Sequence, residues 1–360
     1  MAHPILSSQQ AEALSLIEQA IKEPPRARGY NFLLNGLAGT GKTTVAANLA
    51  RKYPNVLLVT LTGKAASVLR EKTNLPACTI HSAIYQLVGE EYDKRGKKKP
   101  VFAERFLEDE LCGKIIVVDE CSMISENIGR DLSNTGAKII ALGDPGQLPP
   151  IQGKPFYDNP NYVLTEIYRQ ALESPIIRQA HAVRTNGKYA PDGADFRIVS
   201  FSDSSEEDLI NADVVLCWKK ATVDKVNKIK RKALGYDKPT PFIGEPLLCH
   251  KNVNDIGIFN GATYTLAAPF EPGDTNIIVL VEGRPITIEN VRFENVANNL
   301  DTHDITTWFS FGYASTVHKA QGSEWRNVVL IDEYHRQEYR REWLYTGITR
   351  ASDKITIVRM

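Results

Sequence analysis

The sequence predicts an α/β protein built from parallel sheets flanked by helices. Three observations predict it. Short apolar runs such as Asn31-Phe32-Leu33-Leu34 and Val56-Leu57-Leu58-Val59-Thr60 alternate with segments of helical composition. A glycine-rich loop joins the first such run to a helix, and polar residues cluster where later runs end. At 360 residues the chain exceeds one ordinary core, so two principal domains are expected. Hydrophobic residues make up 42% and charged residues 24%, as in globular proteins. Lys+Arg and Asp+Glu both number 43, so a nucleic-acid partner would be held by local grooves, not by net charge.

The centre of the pattern is residues 36 to 44, Gly36-Leu37-Ala38-Gly39-Thr40-Gly41-Lys42-Thr43-Thr44. An apolar run precedes them and Val45-Ala46-Ala47-Asn48-Leu49-Ala50 follows, giving the strand, loop and helix of a phosphate-binding P-loop. Glycines let the backbone curl so that several N–H groups face one anion, and the helix N-terminus adds its dipole. In such a loop Lys42 reaches the β- and γ-phosphates and Thr43 holds Mg²⁺. This is a nucleoside triphosphate site; the loop alone does not name the work done with it.

Ahead of the loop, Ala11, Leu14, Leu16, Ile17 and Ile21 share a helical face over residues 7 to 21. Ser7 or Ser8 caps that helix and Pro24-Pro25 ends it. Gln9 and Gln10, taken alone, read as solvated. The strand at 56 to 60 runs into Leu61-Thr62-Gly63-Lys64-Ala65-Ala66 and a helix, and Thr79-Ile80-His81-Ser82 opens another short helix. Residues 87 to 110 break the rhythm. They read as a hairpin with Gly96 at its turn and a lysine-rich tip, or as a solvated charge run. Lys114-Ile115-Ile116-Val117-Val118 ends in Asp119-Glu120, where one carboxylate can join a Mg²⁺ shell and the other polarise water. Lys138-Ile139-Ile140-Ala141-Leu142 ends in a turn-rich loop to Pro150 that presents Gln147 at a strand end, where parallel sheets bind ligands.

The second half begins near Tyr162. It continues through a helix from Pro175 to Arg184, a strand at Val214-Val215-Leu216-Cys217-Trp218 and a helix over 220 to 234. Most lysines of that last helix read as its solvated face. From 245 to 306 the texture is β- and turn-rich, with Asn260-Gly261 and Gly273-Asp274 as turns. Strands resume at Trp308 to Ala314 and Val328 to Asp332, then a helix over 343 to 351 and a final strand at Ile355 to Val358. Cys78, Cys112, Cys121, Cys217 and Cys249 form no C-x-x-C pair, which disfavours zinc and fits reduced thiols in the cytoplasm. The start shows no signal-peptide pattern, and no apolar run nears the roughly 20 residues of a membrane span.

In order, the P-loop, Thr-Gly-Lys-Ala-Ala at 62–66, Thr-Ile-His at 79–81, Asp-Glu at 119–120, Gly-Asp-Pro-x-Gln-Leu-Pro-Pro at 143–150, Tyr-Arg-Gln at 168–170, Thr-Val-His-Lys-Ala-Gln-Gly at 316–322 and Tyr-Thr-x-Ile-Thr-Arg-Ala at 345–351 resemble superfamily 1 DNA helicases. The likeness is to the RecD-like, Dda-like branch and spans Gln10 to Ala351. It implies two RecA-like P-loop NTPase domains with ATP and Mg²⁺ in the cleft between them and single-stranded DNA across their tops. The first domain would be 1–86 with 111–157, carrying a hairpin insertion at 87–110. The second would be 158–244 with 307–360, carrying a small β-barrel at 245–306.

By the same resemblance Gln10 reads the adenine, and Gly36, Gly39, Thr40, Gly41, Lys42, Thr43 and Thr44 cradle the phosphates. Thr43 and Asp119 hold Mg²⁺, partly through water, Glu120 is the general base and Gln147 senses the γ-phosphate. Arg169 and Arg350 are arginine fingers, with Gly322 and Glu324 toward the nucleotide. Thr62, Lys64, Thr79, His81, Thr316, His318 and Lys319 contact DNA. The implied activity is 5′-to-3′ translocation on single strands with duplex separation, by a monomer acting on single strands and their junctions with duplex. A single-strand-binding or replication protein is a further expected partner. Two departures stand out: Leu61 replaces the family's usual proline, and the hairpin tip carries lysines, with Tyr92 and Phe102 flanking in place of an aromatic wedge. A translocase that separates little duplex, and an ATP-gated DNA-binding switch, are the alternative readings.

Overall fold

A computed structural model describes residues 6–24, 29–92, 98–104, 111–150, 153–167, 173–201, 206–253, 256–281, 283–298, 300–301 and 304–360. The chain divides into two compact units. The first comprises Met1–Gly89, Pro100–Lys188 and Arg341–Thr346, and the second Glu90–Lys99, Tyr189–Arg340 and Gly347–Met360.

The first unit begins with α1 (Ser8–Ala20), capped by Ser7, whose hydroxyl accepts from the Gln10 amide while Gln10 Oε1 accepts from the Ser7 N–H. This reciprocal capping box satisfies two N–H groups at the helix start. Then follow β1 (Phe32–Gly36), α2 (Lys42–Lys52), β2 (Val56–Thr60), α3 (Gly63–Thr73), β3 (Ala77–Thr79) and the short α4 (Ile80–Ile84). After β4 (Tyr85–Tyr92) and β5 (Lys98–Glu104), which pair with each other, come β6 (Ile115–Val118), α5 (Glu126–Asn134), β7 (Lys138–Gly143), β8 (Tyr162–Leu164) and α6 (Pro175–Asn186). Gly96 and the other residues of the expected hairpin turn lie outside the described residues.

Six strands form one sheet in the order β3-β2-β6-β7-β1-β8, every ladder parallel. Alternate residues of each strand enter opposite cores. Phe32, Leu34, Leu58, Ile115, Val117, Ile140 and Leu142 pack on one face, with Ala13 and Ile17 of α1. Leu33, Val59, Ile116, Val118, Ile139 and Ala141 pack on the other. A parallel sheet covered on both faces must read as unbroken apolar runs, which is why these strands were visible in the sequence. The resemblance implied a first-domain boundary at 157, but β8 pairs with β1 through Leu34–Tyr162, Asn35–Val163 and Gly36–Leu164, and the first unit runs on to Lys188.

The second unit holds a five-stranded sheet in the order β17-β10-β18-β19-β9, also all parallel. Its strands are β9 (Phe196–Ser200), β10 (Val214–Cys217), β17 (Ala314–Thr316), β18 (Trp325–Asp332) and β19 (Ala351–Arg359). Helices α7 (Glu206–Asn211) and α8 (Lys220–Ala233) belong to it, and α9 (Arg340–Ile348) precedes its last strand. The β-rich stretch forms a further six-stranded sheet, β14-β13-β12-β11-β16-β15. Its strands are β11 (Pro246–Cys249), β12 (Thr263–Leu266), β13 (Ile277–Val281), β14 (Arg284–Ile288), β15 (Val291–Phe293) and β16 (Thr307–Phe311), around a core containing Phe270, Phe293 and Phe309. Its last strand lies beyond the expected end at 306.

In helix α8 Lys225, Lys228 and Lys232 are exposed, as the sequence reading expects of most of its lysines, but Lys230 and Arg231 are buried. Val223, Val226, Asn227, Lys230 and Arg231 follow the i, i+3, i+4 spacing of one buried stripe. Lys230 Nζ donates to Ala212 O at 2.6 Å, and burial lowers its pKa to about 8. Arg231 Nε and Nη2 donate to the two oxygens of Glu245 at 2.8 and 3.2 Å, and its guanidinium lies 3.9 Å from the Phe311 ring centroid. Glu245 also accepts from Phe242 N and the Tyr313 hydroxyl. Glu333 satisfies the start of α8 from a distance, accepting from Trp218 N, Lys219 N and the Thr222 hydroxyl. All five cysteines are thiols, with Cys121, Cys217 and Cys249 buried, Cys78 half-buried and Cys112 exposed. Among the described residues no helix is long and apolar enough to cross a membrane.

Removing one member of a buried ion pair strands the other charge. Arg231→Met is therefore expected to destabilise the second unit by about 3–5 kcal/mol, read from urea unfolding. A loss below about 1 kcal/mol would show that Glu245 is adequately held by its remaining donors.

Candidate functional site

Because β1, β2, β6 and β7 are parallel, the loops that leave them lie at one edge of the first unit's sheet. The loop after β1 turns on Gly39 and Gly41, with φ of 82° and 79°, a region L side chains rarely adopt. A Cβ on Gly36 would sit 2.5 Å from Thr40 Oγ1 and 3.1 Å from Leu164 Cβ, so the strand can approach the loop only as glycine. Lys42 Nζ donates to Gly36 O at 2.6 Å and Leu37 O at 3.2 Å, folded back over the loop it follows. The buried Thr40 donates to Leu37 O at 2.8 Å, and Thr43 and Thr44 open α2 behind it, half-buried. Gln10, buried, donates Nε2 to Thr40 O at 3.0 Å. Its amide thus ties α1 to the loop as well as capping the helix.

The loop after β6 places Asp119 and Glu120 beside Lys42. Asp119 is buried at the end of four buried strand residues. Burial, then the charge of Glu120, raise its pKa to about 6, with Lys42 opposing. Glu120 takes φ 54°, which turns the chain out of the strand while its N–H donates to Asp119 Oδ1 at 2.9 Å. Such a φ is uncommon for a side chain of this size.

The loop after β7 is fixed by groups the sequence did not reveal. Tyr345 of α9 donates to Asp144 Oδ2 at 2.7 Å and accepts from the P-loop Ala38 N–H at 2.6 Å. Asp144 Oδ2 is 3.9 Å from Lys42 Nζ, and Oδ1 accepts from Gly146 N at 2.8 Å. Thr346, the next residue of α9, accepts from Leu148 N at 3.0 Å. Gln147 lies between these two anchors. It is 7% exposed, and among the described residues its Oε1 has no hydrogen-bond partner. From α6, His181 Nε2 contacts Ala38 O at 3.1 Å, and Arg184 bridges Glu342 at 2.6 Å and Pro145 O at 3.2 Å.

The residues expected to contact DNA occupy strand-to-helix turns. Thr62 and Thr79 are N-caps: their hydroxyls accept from Ala65 N and Ser82 N. Lys64 is half-buried in the first turn of α3, and the His81 ring stands 5.3 Å from that of Tyr85, with a pKa lowered by burial.

In the second unit Thr316 accepts from Lys319 N at 3.4 Å, and burial lowers the pKa of both Lys319 and His318. Lys319 Nζ is 2.9 Å from His250 Nδ1, and His250 Nε2 is 2.7 Å from Ser310 Oγ. Gly322, at φ 75°, and the exposed Glu324 follow. Arg350 is buried and donates to Ser323 O at 3.1 Å and Thr349 Oγ1 at 3.2 Å. Arg169 lies outside the described residues. The first unit thus assembles Gln10, Lys42, Thr43, Asp119, Glu120 and Gln147, and the second holds Arg350, Glu324, Thr316, His318 and Lys319.

Two outcomes follow from these contacts. Tyr345→Phe removes a donor from the buried Asp144 and an acceptor from Ala38. It should lower the stability of the first unit by about 1–3 kcal/mol in denaturant unfolding, and an unchanged midpoint would rule out the anchoring role. His250 is held at a pKa of about 4 by burial, then by the charges of Lys319 and Lys220, with Glu294 opposing. Between pH 6.5 and about 4 the unfolded chain binds a proton the folded ring refuses, so stability falls on acidification through that window. His250→Gln should flatten this part of the melting profile; identical slopes for the two proteins would exclude it.

The chain is similar to known proteins along most of its length. The AAA domain family matches residues 6–195, and the UvrD-like helicase C-terminal domain matches residues 311–358. The ATP-dependent RecD2 DNA helicase of Deinococcus radiodurans is 30% identical over 359 residues, covering 89% of this chain and 46% of that protein. The RecBCD enzyme subunit RecD of Mycobacterium tuberculosis is 25% identical, covering 91% of this chain and 66% of that one. The chain thus spans less than half the length of the Deinococcus relative. Among solved structures, Bacteroides Pif1 bound to ssDNA has the same fold, with a TM-score of 0.63 at 22% identity over 98% of this chain and 92% of that one. The AAA domain model matches just over half of the chain and the UvrD-like helicase C-terminal model matches its residues 311–358, so the chain belongs to the AAA domain family and carries a UvrD-like helicase C-terminal segment.

Proposed function

We propose that the protein is an ATP-dependent DNA helicase that moves 5′ to 3′ on single-stranded DNA and separates duplex. The observation that carries this is the gathering of Lys42, Asp119, Glu120 and the Gln147 amide oxygen, unpartnered among the described residues, at one sheet edge, in a chain whose residues 311–358 match a UvrD-like helicase C-terminal domain. The names of the relatives support it: one is an ATP-dependent DNA helicase, and another was solved bound to single-stranded DNA. Its setting would be the cytoplasm of a bacterial or phage-infected cell, where it would work as a monomer.

The residues fit Mg²⁺. The Thr43 hydroxyl and Asp119 carboxylate are hard oxygen donors, and burial first, then the charge of Glu120, raises the Asp119 pKa, a cost that a bound cation would relieve. Bound Mg²⁺ supplies charge neutralisation on the phosphate oxygens. Lys42 can exchange the carbonyls of Gly36 and Leu37 for phosphate oxygens, which hold its ammonium more strongly. Glu120 takes the proton of the attacking water, and Gln147 offers its free oxygen to orient that water. Arg169 and Arg350 are the arginines the resemblance assigns to the transferring phosphoryl group, and Gln10 the residue it assigns to adenine.

Hydrolysis measured with and without single-stranded DNA tests the reading, with unwinding of forks carrying only a 5′ or only a 3′ tail. Turnover should rise with DNA, and only the 5′-tailed fork should open. Lys42→Ala should cut turnover by about 100-fold or more. Turnover indifferent to DNA would remove the motor reading, and opening from the 3′ tail alone would reverse the direction. DNA-stimulated hydrolysis with both forks intact would select a translocase.

A further inference from the structure

The second unit contains a cavity of about 370 Å³ that the proposed chemistry does not use. Its apolar wall comes from Val223 of α8 and Leu248 of β11. Trp308 of β16 lines it and is 41% exposed, so its indole is open to a stacking partner. Arg292 Cζ lies 5.5 Å from the Trp308 ring centroid. The polar lining includes His250, Ser310, Lys319, Lys220, Glu294 and Asp224. Thr316 also lines the cavity, so it adjoins the 316–319 turn.

The hydrogen bonds fix what this wall offers. Lys319 Nζ can only donate, so His250 Nδ1 accepts and its Nε2 carries the proton. Nε2–H then donates to Ser310 Oγ, which leaves the serine hydroxyl hydrogen for another acceptor. Lys319 has further N–H donors, and Glu294, whose Oε1 accepts from Lys220 at 3.0 Å, supplies acceptor capacity. The cavity therefore combines donors, an acceptor and an exposed indole. That mixture matches the edge and face of a nucleobase. A phosphate would face the carboxylates of Glu294 and Asp224, and the volume is at the small end of ligand sites.

We propose that this cavity takes one nucleobase of the bound single strand, stacked on Trp308, with its edge held by Ser310, Lys319 and Glu294. The inference rests on single-stranded DNA being the partner. A strand crossing the 316–319 turn would swing one base into the opening, so the second unit would grip through that base as well as through the backbone.

The experiment measures affinity of the full chain for a mixed-sequence single strand and for a set carrying one abasic site at successive positions. One abasic position should weaken wild-type binding roughly 5- to 100-fold, the range of one lost base stack. Trp308→Ala should bind the intact strand as weakly as wild type binds that abasic strand and lose nothing more when the two are combined, and Trp308→Phe should recover most of the loss. If wild type binds the intact strand but tolerates every abasic position, the cavity holds no base. Additive losses for Trp308→Ala and the abasic site would equally overturn the proposal. If wild type binds no single strand at all, the underlying partner assignment fails instead. The abasic series on wild type needs no variant to fold.

Discussion

The sheet of the first unit is covered on both faces, so the middles of its strands are apolar. Polar groups are confined to where strands stop. All ladders are parallel, so the strands stop in the same direction and their polar ends collect at one edge. Lys42 and Gln147 are over 100 positions apart and share that edge only for this reason. The same burial that stabilises the sheet desolvates what sits at its margin. Asp119 follows four buried residues, and Asp144 follows six strand residues of which five are buried. Both carboxyls have raised pKa values, with burial as the first cause. Packing and chemistry are not independent features of this edge.

What could be read in the sequence divides along the range of the interaction. Strand periodicity, the glycine turns and the Asp119-Glu120 pair are local, and they were legible. Ser7-x-x-Gln10 is also local, the sequence form of a capping box, yet Gln10 looked solvated because its second partner, Thr40 O, is 30 residues away. Tyr345 had no such signal. Its bond to the Ala38 N–H spans 307 residues, and no spacing rule reaches that far. The three residues of β8 are too few to show a period, so no local signal corrected the boundary at 157. In α8 the signal was present but outvoted: Lys230 and Arg231 stand at buried spacing, and their charge argued for solvent.

The second unit buries two acids, each among several hydrogen-bond donors. Glu245 has four donors, from Arg231, Phe242 and Tyr313, and Glu333 has three, from Trp218, Lys219 and Thr222. Each acid holds α8 at a different place. Apolar residues at these positions would pack with less directional demand. Acids with several fixed donors accept one arrangement only, which sets the rotation of α8 and hence the face that Val223 and Asn227 turn to the cavity.

The cysteines carry a practical consequence. Three of the five are buried, and the same desolvation raises the pKa of Cys121, Cys217 and Cys249, so their thiolate fraction near neutral pH is low. Cys78 is half-buried, and only Cys112, beside the tight turn at Gly113, is exposed. A maleimide reagent would therefore meet one reactive thiol well before the others. Cys112, on the first unit, is thus where a dye or a surface tether would attach first.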